Sequence, residues 1–412
     1  MTAIATIGAR LAGDHGGRRV VTPQRRRRRR VQAAWGLLVV NVLTFFPGAP
    51  HILPIPGVVG KLVTQASLGG ALLLALSANR PARIRPSVFV FLLVLLAAES
   101  LLASIGAEFL FGALFRAARL LLFATVLWLL TPWWTRRDLL LLRTHLMFLW
   151  VILGSVLLGL LAAPGVALTD SRLGGALWPI PPTQVGHYAA VVTGLTTVLW
   201  LSGLLRRELA LISVLLAVPV LLLTHTRTAL IAVLAGVLIA GLSLFTTRSR
   251  VRKSFAIGAA FFTLGALTLG SVVTTWLARG QDTEEVAALT GRRAVWESIV
   301  AAPRSTFETV FGLGLSNKSF NGLPIDSNWL GTYYDIGLAG VAIVVAMVLF
   351  VLTAAWFQPD GPRRALALFL VAYCVVASFT ESGLSDASPY LLELTLAASL
   401  VYSGSTFREG VR

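Results

Sequence analysis

An all-α, polytopic integral membrane protein of about twelve transmembrane helices is the fold class this sequence predicts, on three observations. Hydrophobic residues make up 56% of the 412 and charged residues only 13%, a balance no soluble globular domain shows. The apolar residues recur in solid blocks near the roughly 20 residues that a helix needs to cross about 30 Å of hydrocarbon. Lysine and arginine gather in the short loops at one side of those blocks. A membrane β-barrel would instead show alternation, which runs such as Val88–Ala98 do not.

The chain opens with a basic arm, 1–32, containing Arg25–Arg30. Val31–Phe46 follows without a small-residue cleavage site and reads as a retained first span. The rest, 33–412, reads as a single transmembrane domain. Its spans are expected near 33–47, 58–78, 87–105, 109–131, 139–162, 185–204, 208–223, 228–246, 255–278, 327–357, 365–381 and 388–404. With both termini cytoplasmic, the short inner loops carry Arg80, Arg83 and Arg85, then Arg136 and Arg137, Arg206 and Arg207, Arg248 to Lys253, and Arg363 and Arg364. Two outer loops are long, 163–184 and 279–326. The second is an exported loop containing short helices, with one expected over Glu284–Ala301. Loops of such length in a compact protein usually carry function. No internal repeat is visible, which counts against a transporter built from inverted halves.

The net charge of +17 raises the question of nucleic acid. Basic residues beside a first membrane helix orient it and attract anionic lipid headgroups, so membrane lipids are the expected partner and nucleic acid is not. A single cysteine, Cys374, excludes a disulfide framework, and the five histidines lack ligand spacing. No metal and no cofactor is expected.

Cations on the exported side are the exceptions to the charge pattern: Lys61, Arg172, Arg227, Arg279, Arg292, Arg293, Arg304 and Lys318. Arg227 opens an otherwise uncharged span, where it is either an interfacial anchor or a clamp for phosphate oxygens, which guanidinium binds bidentately. Arg292 and Arg293 follow Gly291 at the start of a helix, with Trp296 one turn on, placed for a solvated amphipathic face or for an anion beneath a sugar-stacking indole. Arg172 lies in a Gly- and Pro-rich segment ending at Gln184, and His187 sits one turn into the next span, where a packed polar group is the ordinary reading. Arg116 and Arg119 share a face near mid-span, at roughly 2.5–3.5 kcal/mol each on insertion scales. They pair with acids such as Glu99 and Glu108 or line a pyrophosphate cavity. Asp326 and Glu381 lie at the mouths of long spans, where a general base for a sugar hydroxyl belongs. Lys61, Arg279, Arg304 and Lys318 read as surface charges.

Taken together, Thr224–Leu230, Gly291-Arg292 with Trp296, Phe311-Gly312-Leu313-Gly314, Asp326–Leu330 running into Tyr334–Gly340, Arg172–Gln184 and Glu381 resemble the O-antigen ligase and O-antigen polymerase superfamily of bacterial membrane glycosyltransferases. The resemblance is carried by 165–345 and, elsewhere, by span count. It implies a GT-C-like fold in the bacterial inner membrane with the active site on the exported face. The implied reaction is metal-independent, inverting transfer of a polyprenyl-pyrophosphate-linked glycan onto an acceptor glycan or glycolipid. By position, Arg227 and Arg292 are implied to hold the leaving pyrophosphate. The family's ligases carry a histidine near the position of Asp326; this chain does not, which leaves Asp326, Glu381 and His225 as alternatives for the base. A transporter or flippase of lipid-linked oligosaccharide is the alternative function, and a non-catalytic envelope scaffold a third.

Overall fold

Long apolar helices dominate the computed structural model, which describes residues 23–402 apart from Pro47, 81–83, 135–137, Asn317 and most of 259–291. Helix α1 (Pro23–Asn41) carries the arginine run and is followed by α2 (Gly57–Ala78), α3 (Val88–Ile105), α4 (Leu110–Leu129) and α5 (Leu140–Ala162). A single turn, α6 (Pro164–Ala167), leads into a small hairpin, β1 (Leu168–Thr169) and β2 (Arg172–Leu173). Then come α7 (Pro182–Leu201), α8 (Arg207–Leu223) and α9 (Arg227–Phe245). Beyond 259–291 lie α10 (Arg292–Ala301), α11 (Thr306–Phe311) and a second hairpin, β3 (Ser319–Phe320) and β4 (Leu323–Pro324). Helices α12 (Asn328–Trp356), α13 (Pro362–Ala377) and α14 (Pro389–Val401) complete the described chain. Proline at the first helical position starts α7, α13 and α14, where its missing N–H costs nothing.

This is an all-α protein with candidate membrane spans. Six described helices, α2, α3, α4, α5, α9 and α12, are long and apolar enough to cross a membrane. The expected twelve is not reached, for reasons of length and polarity. Helices α8, α13 and α14 have 17, 16 and 13 residues, about 20–25 Å of helix. Helix α7 is diluted by Gln184, His187 and several threonines, and α1 begins in the arginine run. The span expected at 255–278 lies mostly outside the described residues, as does 284–291 of the helix expected over Glu284–Ala301, whose described part is α10.

Two of the short helices, α13 and α14, are inner ones, whereas α8 is peripheral. Every residue from Ala365 to Cys374 in α13 is buried, and so is α14 from Leu391 to Val401. Helix α13 packs against α7, α9, α12 and α14, and α14 also meets α1. A helix enclosed on all sides carries no polar stripe. The peripheral helices turn large apolar side chains outward, with Val58 78%, Phe111 83% and Leu161 81% exposed, a surface suited to hydrocarbon rather than water.

The Gly312 and Gly337 motifs meet each other. Helix α12 breaks at Ile336 and Gly337, and Gly337 has φ +61°. A Cβ on Gly337 would lie 2.3 Å from the Val310 carbonyl oxygen, and one on Gly312 (φ +83°) 2.4 Å from that of Asp335. Two backbones in contact explain both glycines. The kink frees the Tyr334 and Asp335 carbonyls, which accept from the N–H groups of Leu313 and Gly314. Asp335 is fully buried and is satisfied by Lys318 and by Ser316 Oγ at 2.7 Å. Lys318, expected at the surface, is therefore a structural partner: a buried carboxylate needs a counter-charge.

Candidate functional site

Three arginines reach one end of the bundle from three different elements. Asp170 and Ser171, at φ +50° and +59°, make the two-residue turn between β1 and β2. That turn delivers Arg172, whose Nε donates to the Thr224 carbonyl at 3.1 Å. Thr224 ends α8, His225 takes a left-handed conformation (φ +50°), and Thr226 precedes α9 with Arg227 at its first residue. This break lies directly on α7: a Cβ at Gly186 would come within 2.6 Å of Thr224 Oγ1 and 2.7 Å of Thr226 Oγ1. Arg292, the first described residue of α10, pairs with Asp326 at 3.0 Å and lies near enough to Arg227 for the two cations to repel. Burial lowers the pKa of Arg172, and Glu381 and Asp170 oppose that shift.

Glu381 sits among these charges on the loop between α13 and α14. The loop is held from three sides. Asn328, buried at the start of α12, accepts at Oδ1 from the N–H groups of Gly383 (3.2 Å) and Leu384 (2.7 Å). Thr228 of α9 meets Thr380 at 2.6 Å between hydroxyl oxygens. Arg119 of α4 donates to the Ala387 carbonyl at 3.0 Å. The segment Asp326-Ser327-Asn328 thus has three tasks: pairing Arg292, capping α12 at Leu330 N–H and fixing the Glu381 loop. Burial raises the Glu381 pKa to about 7, Asp326 adds to the rise, and Arg292, His187 and Arg172 act against it. A carboxyl poised near neutrality suits a general base.

Glu381 faces a cavity of about 830 Å³ whose lining includes Lys61, Arg119, Gln184, His187 and Tyr390. Its wall is stitched by side chains bonded to the backbone of neighbouring segments. Gln184 accepts from Thr44 N–H at 2.9 Å and donates to the Val42 carbonyl at 2.9 Å, and Asn41 donates to the Thr64 carbonyl at 2.8 Å. Val58, Leu62 and Phe115 line the same cavity and are themselves 78%, 64% and 58% exposed, so it opens along an apolar flank. A volume of this size admits a glycan or a lipid headgroup.

The predicted site residues divide. Arg172, Arg227, Arg292, Asp326 and Glu381 come together, while Arg119 and His187 line the cavity. His225 belongs to the turn before Arg227. Trp296 is half-buried on α10. Arg293 points away, exposed and paired with Glu297 at 2.7 Å. Arg116 donates to the Leu315 carbonyl (3.4 Å), and Arg119 donates to the Asn41 carbonyl (3.1 Å) as well as Ala387. Their partners are carbonyls at chain breaks rather than Glu99 or Glu108, because such breaks leave acceptors that a buried guanidinium can satisfy. Of the remaining cations, Lys61 lines the cavity and Arg304 lies over Tyr333 at 4.5 Å, while Arg279 is outside the described residues.

Sequence reasoning missed one cluster. Glu393 of α14 is fully buried, with its Oε1 2.8 Å from His187 Nε2 and 3.9 Å from His145 Nε2. Tyr373 approaches His187 Nδ1 at 3.0 Å, and Trp35 donates to His145 Nδ1 at 3.4 Å. A lone glutamate inside an apolar span was the available signal. His187 is thereby a packed polar group as well as a cavity wall. Compared with protein-family models and with curated proteins, the chain matches none.

Proposed function

We propose that this chain is a glycosyltransferase of the bacterial cytoplasmic membrane, of O-antigen ligase or polymerase type. In this reading about twelve helices traverse the bilayer, counting the short inner ones, with both termini cytoplasmic and the Glu381 cavity on the exported face. The donor is a glycan linked to polyprenyl pyrophosphate and the acceptor is a glycan or glycolipid. Arg227 and Arg292 hold the pyrophosphate, with Arg172 beside them, and stabilise the charge that develops as it leaves. Glu381 takes the proton from the acceptor hydroxyl as that oxygen bonds to the anomeric carbon. The electron pair of the broken carbon–oxygen bond departs with the pyrophosphate, and the configuration inverts. Because phosphate is already a good leaving group, cationic clamps, a positioned acceptor and a modest base suffice. The observation that carries the reading is a carboxyl tuned to about 7 among three arginines at the edge of a cavity.

The test is glycan transfer by purified protein in proteoliposomes supplied with lipid-linked donor. Arg227→Ala and Arg292→Ala are each expected to lower transfer about a hundredfold or more while insertion is retained. Wild-type rates in both variants would overturn the assignment. The buried Glu393, His187 and His145 favour one second reading, since ionisable groups inside a bundle often serve ion-coupled transport. A flippase would move donor across the vesicle membrane without lengthening any glycan, and the same vesicles report both outcomes.

A further inference from the structure

The end of the bundle opposite the Glu381 cavity holds a second cavity, also about 830 Å³, between α7, α8 and the segment 249–258. Thr183 and Trp200 line the two cavities from opposite ends of α7, about 25 Å apart along its axis. Three cations, Arg207, Arg250 and Lys253, line this second cavity, and among the described residues no acid does. Among the described residues none of the three has a carboxylate partner in an ion pair. Arg250 donates to the Trp200 carbonyl at 2.9 Å and lies 5.9 Å from the centre of its indole, so its guanidinium is held at the C-terminal end of α7. Serine hydroxyls at 249 and 254 add donors. Apart from Thr197 the remainder of the wall is apolar, with Leu211 and Ile257 lining it and 55% and 58% exposed.

We infer that this cavity binds an anionic phospholipid, its phosphate against Arg207, Arg250 and Lys253 and its acyl chains along Leu211, Val214 and Ile257. Cations alone would serve free phosphate equally well, and the apolar half of the wall selects the lipid. Basic pockets between helices at a membrane surface recognise such headgroups through charge and hydrogen bonds. The site shares no residue with the Glu381 cavity, so it stands or falls independently of the proposed transfer reaction.

The experiment uses the full-length protein, delipidated in neutral detergent and titrated by native mass spectrometry with phosphatidylglycerol or phosphatidylcholine of equal chain length. Phosphatidylglycerol is expected to bind at least about tenfold more tightly. The Arg207→Ala/Arg250→Ala/Lys253→Ala variant is expected to lose that preference. Arg207→Gln/Lys253→Gln, which leaves the Arg250 bond to Trp200 in place, guards against misfolding and is expected to lose most of it. Neutralising Arg25–Arg30 is expected to leave it intact, and millimolar inorganic phosphate is expected not to displace the lipid. Equal binding of both lipids, a preference that survives in the glutamine variant, loss of the preference on neutralising Arg25–Arg30, or displacement by phosphate would each overturn the assignment.

Discussion

Glu381 and Glu393 stand one helical start apart and occupy opposite environments. Glu381 lies on a loop, half-buried, facing a cavity and close to Arg172 and Arg292. Glu393 lies inside α14 with no exposed surface, against two histidines, of which His187 packs on the rings of Tyr373 and Tyr390. The carboxyl that can exchange protons with a ligand is the one whose loop is fixed by other elements yet left open on one side. The carboxyl that is enclosed has its neighbours as its only partners, and its role is to hold α5, α7 and α14 in register. His187 touches both regions, with one edge on the cavity and one nitrogen toward Glu393.

The largest effect that would break this contrast is on Glu381. As the base it must be ionised, so transfer is expected to rise with pH through about 7 and level off above it. Glu381→Gln is expected to lower transfer by about 10²–10⁴-fold and to abolish that pH dependence. Stability has the opposite sign. A carboxyl whose pKa is raised on folding favours the folded state below its unfolded value, and that contribution is lost as pH rises through about 7. Glu381→Gln is therefore expected to melt above the wild type at pH 8 and alongside it at pH 4. A flat pH–rate profile for the wild type would remove Glu381 from the reaction.

Glu393 is expected to behave the other way, with a large effect on stability. Glu393→Ala leaves His187 and His145 without their shared carboxylate and opens a cavity, at about 3–5 kcal/mol. Glu393→Gln keeps an acceptor oxygen and most of the volume, and is expected to recover much of that loss. Thermal unfolding in detergent measures both. A Glu393→Gln variant as stable as wild type but inactive would move Glu393 into the reaction and erase the contrast with Glu381.

How much of this was legible in the sequence follows from the range of the interactions. The six long helices announced themselves because bilayer length is a local property. Arg227 and Arg292 stood out because cations at that end of the spans break a charge pattern that the rest of the chain keeps. The Asn321-Gly322 turn is a local signal that went unread: both residues take positive φ, as a two-residue hairpin requires. Asn328 lies within the Asp326–Leu330 motif, but its grip on Gly383 and Leu384 spans 55 and 56 residues, and no spacing rule reports that. The same holds for Glu393 with His145 and His187, and for Arg119, whose carbonyl partners lie 78 and 268 residues away. The spans expected at 365–381 and 388–404 form as α13 and α14, but at 16 and 13 residues they fall short of the length of the six long helices.

Asn328 supplies a smaller test of how the Glu381 loop is held. Asn328→Ala removes the acceptor for two buried N–H groups, a loss of about 1–3 kcal/mol in local order. As a positioning residue it touches no substrate, so transfer is expected to fall about tenfold while the pH midpoint moves, because Glu381 no longer sits at a fixed distance from Asp326 and Arg292. Asn328→Asp, which retains an acceptor oxygen, is expected to restore part of the rate. A uniform loss of folded protein with an unchanged pH profile in the survivors would reduce Asn328 to a structural role.

Arg293 marks the edge of the site and carries the smallest expected effect. It is adjacent to Arg292 in sequence and equally basic, yet successive helix positions point about 100° apart. Arg292 reaches Asp326, whereas Arg293 is exposed beside Glu297 one turn along its own helix. An exposed pair of this kind contributes little, since water and salt screen it and two long side chains must be ordered to form it. Arg293→Ala is therefore expected to change transfer by no more than about twofold, against a hundredfold for Arg292→Ala, when both are measured at the same salt concentration. Comparable losses in the two variants would mean that α10 rotates or unwinds when donor binds, so that both guanidiniums reach the pyrophosphate. The site would then be assembled by its ligand rather than preformed.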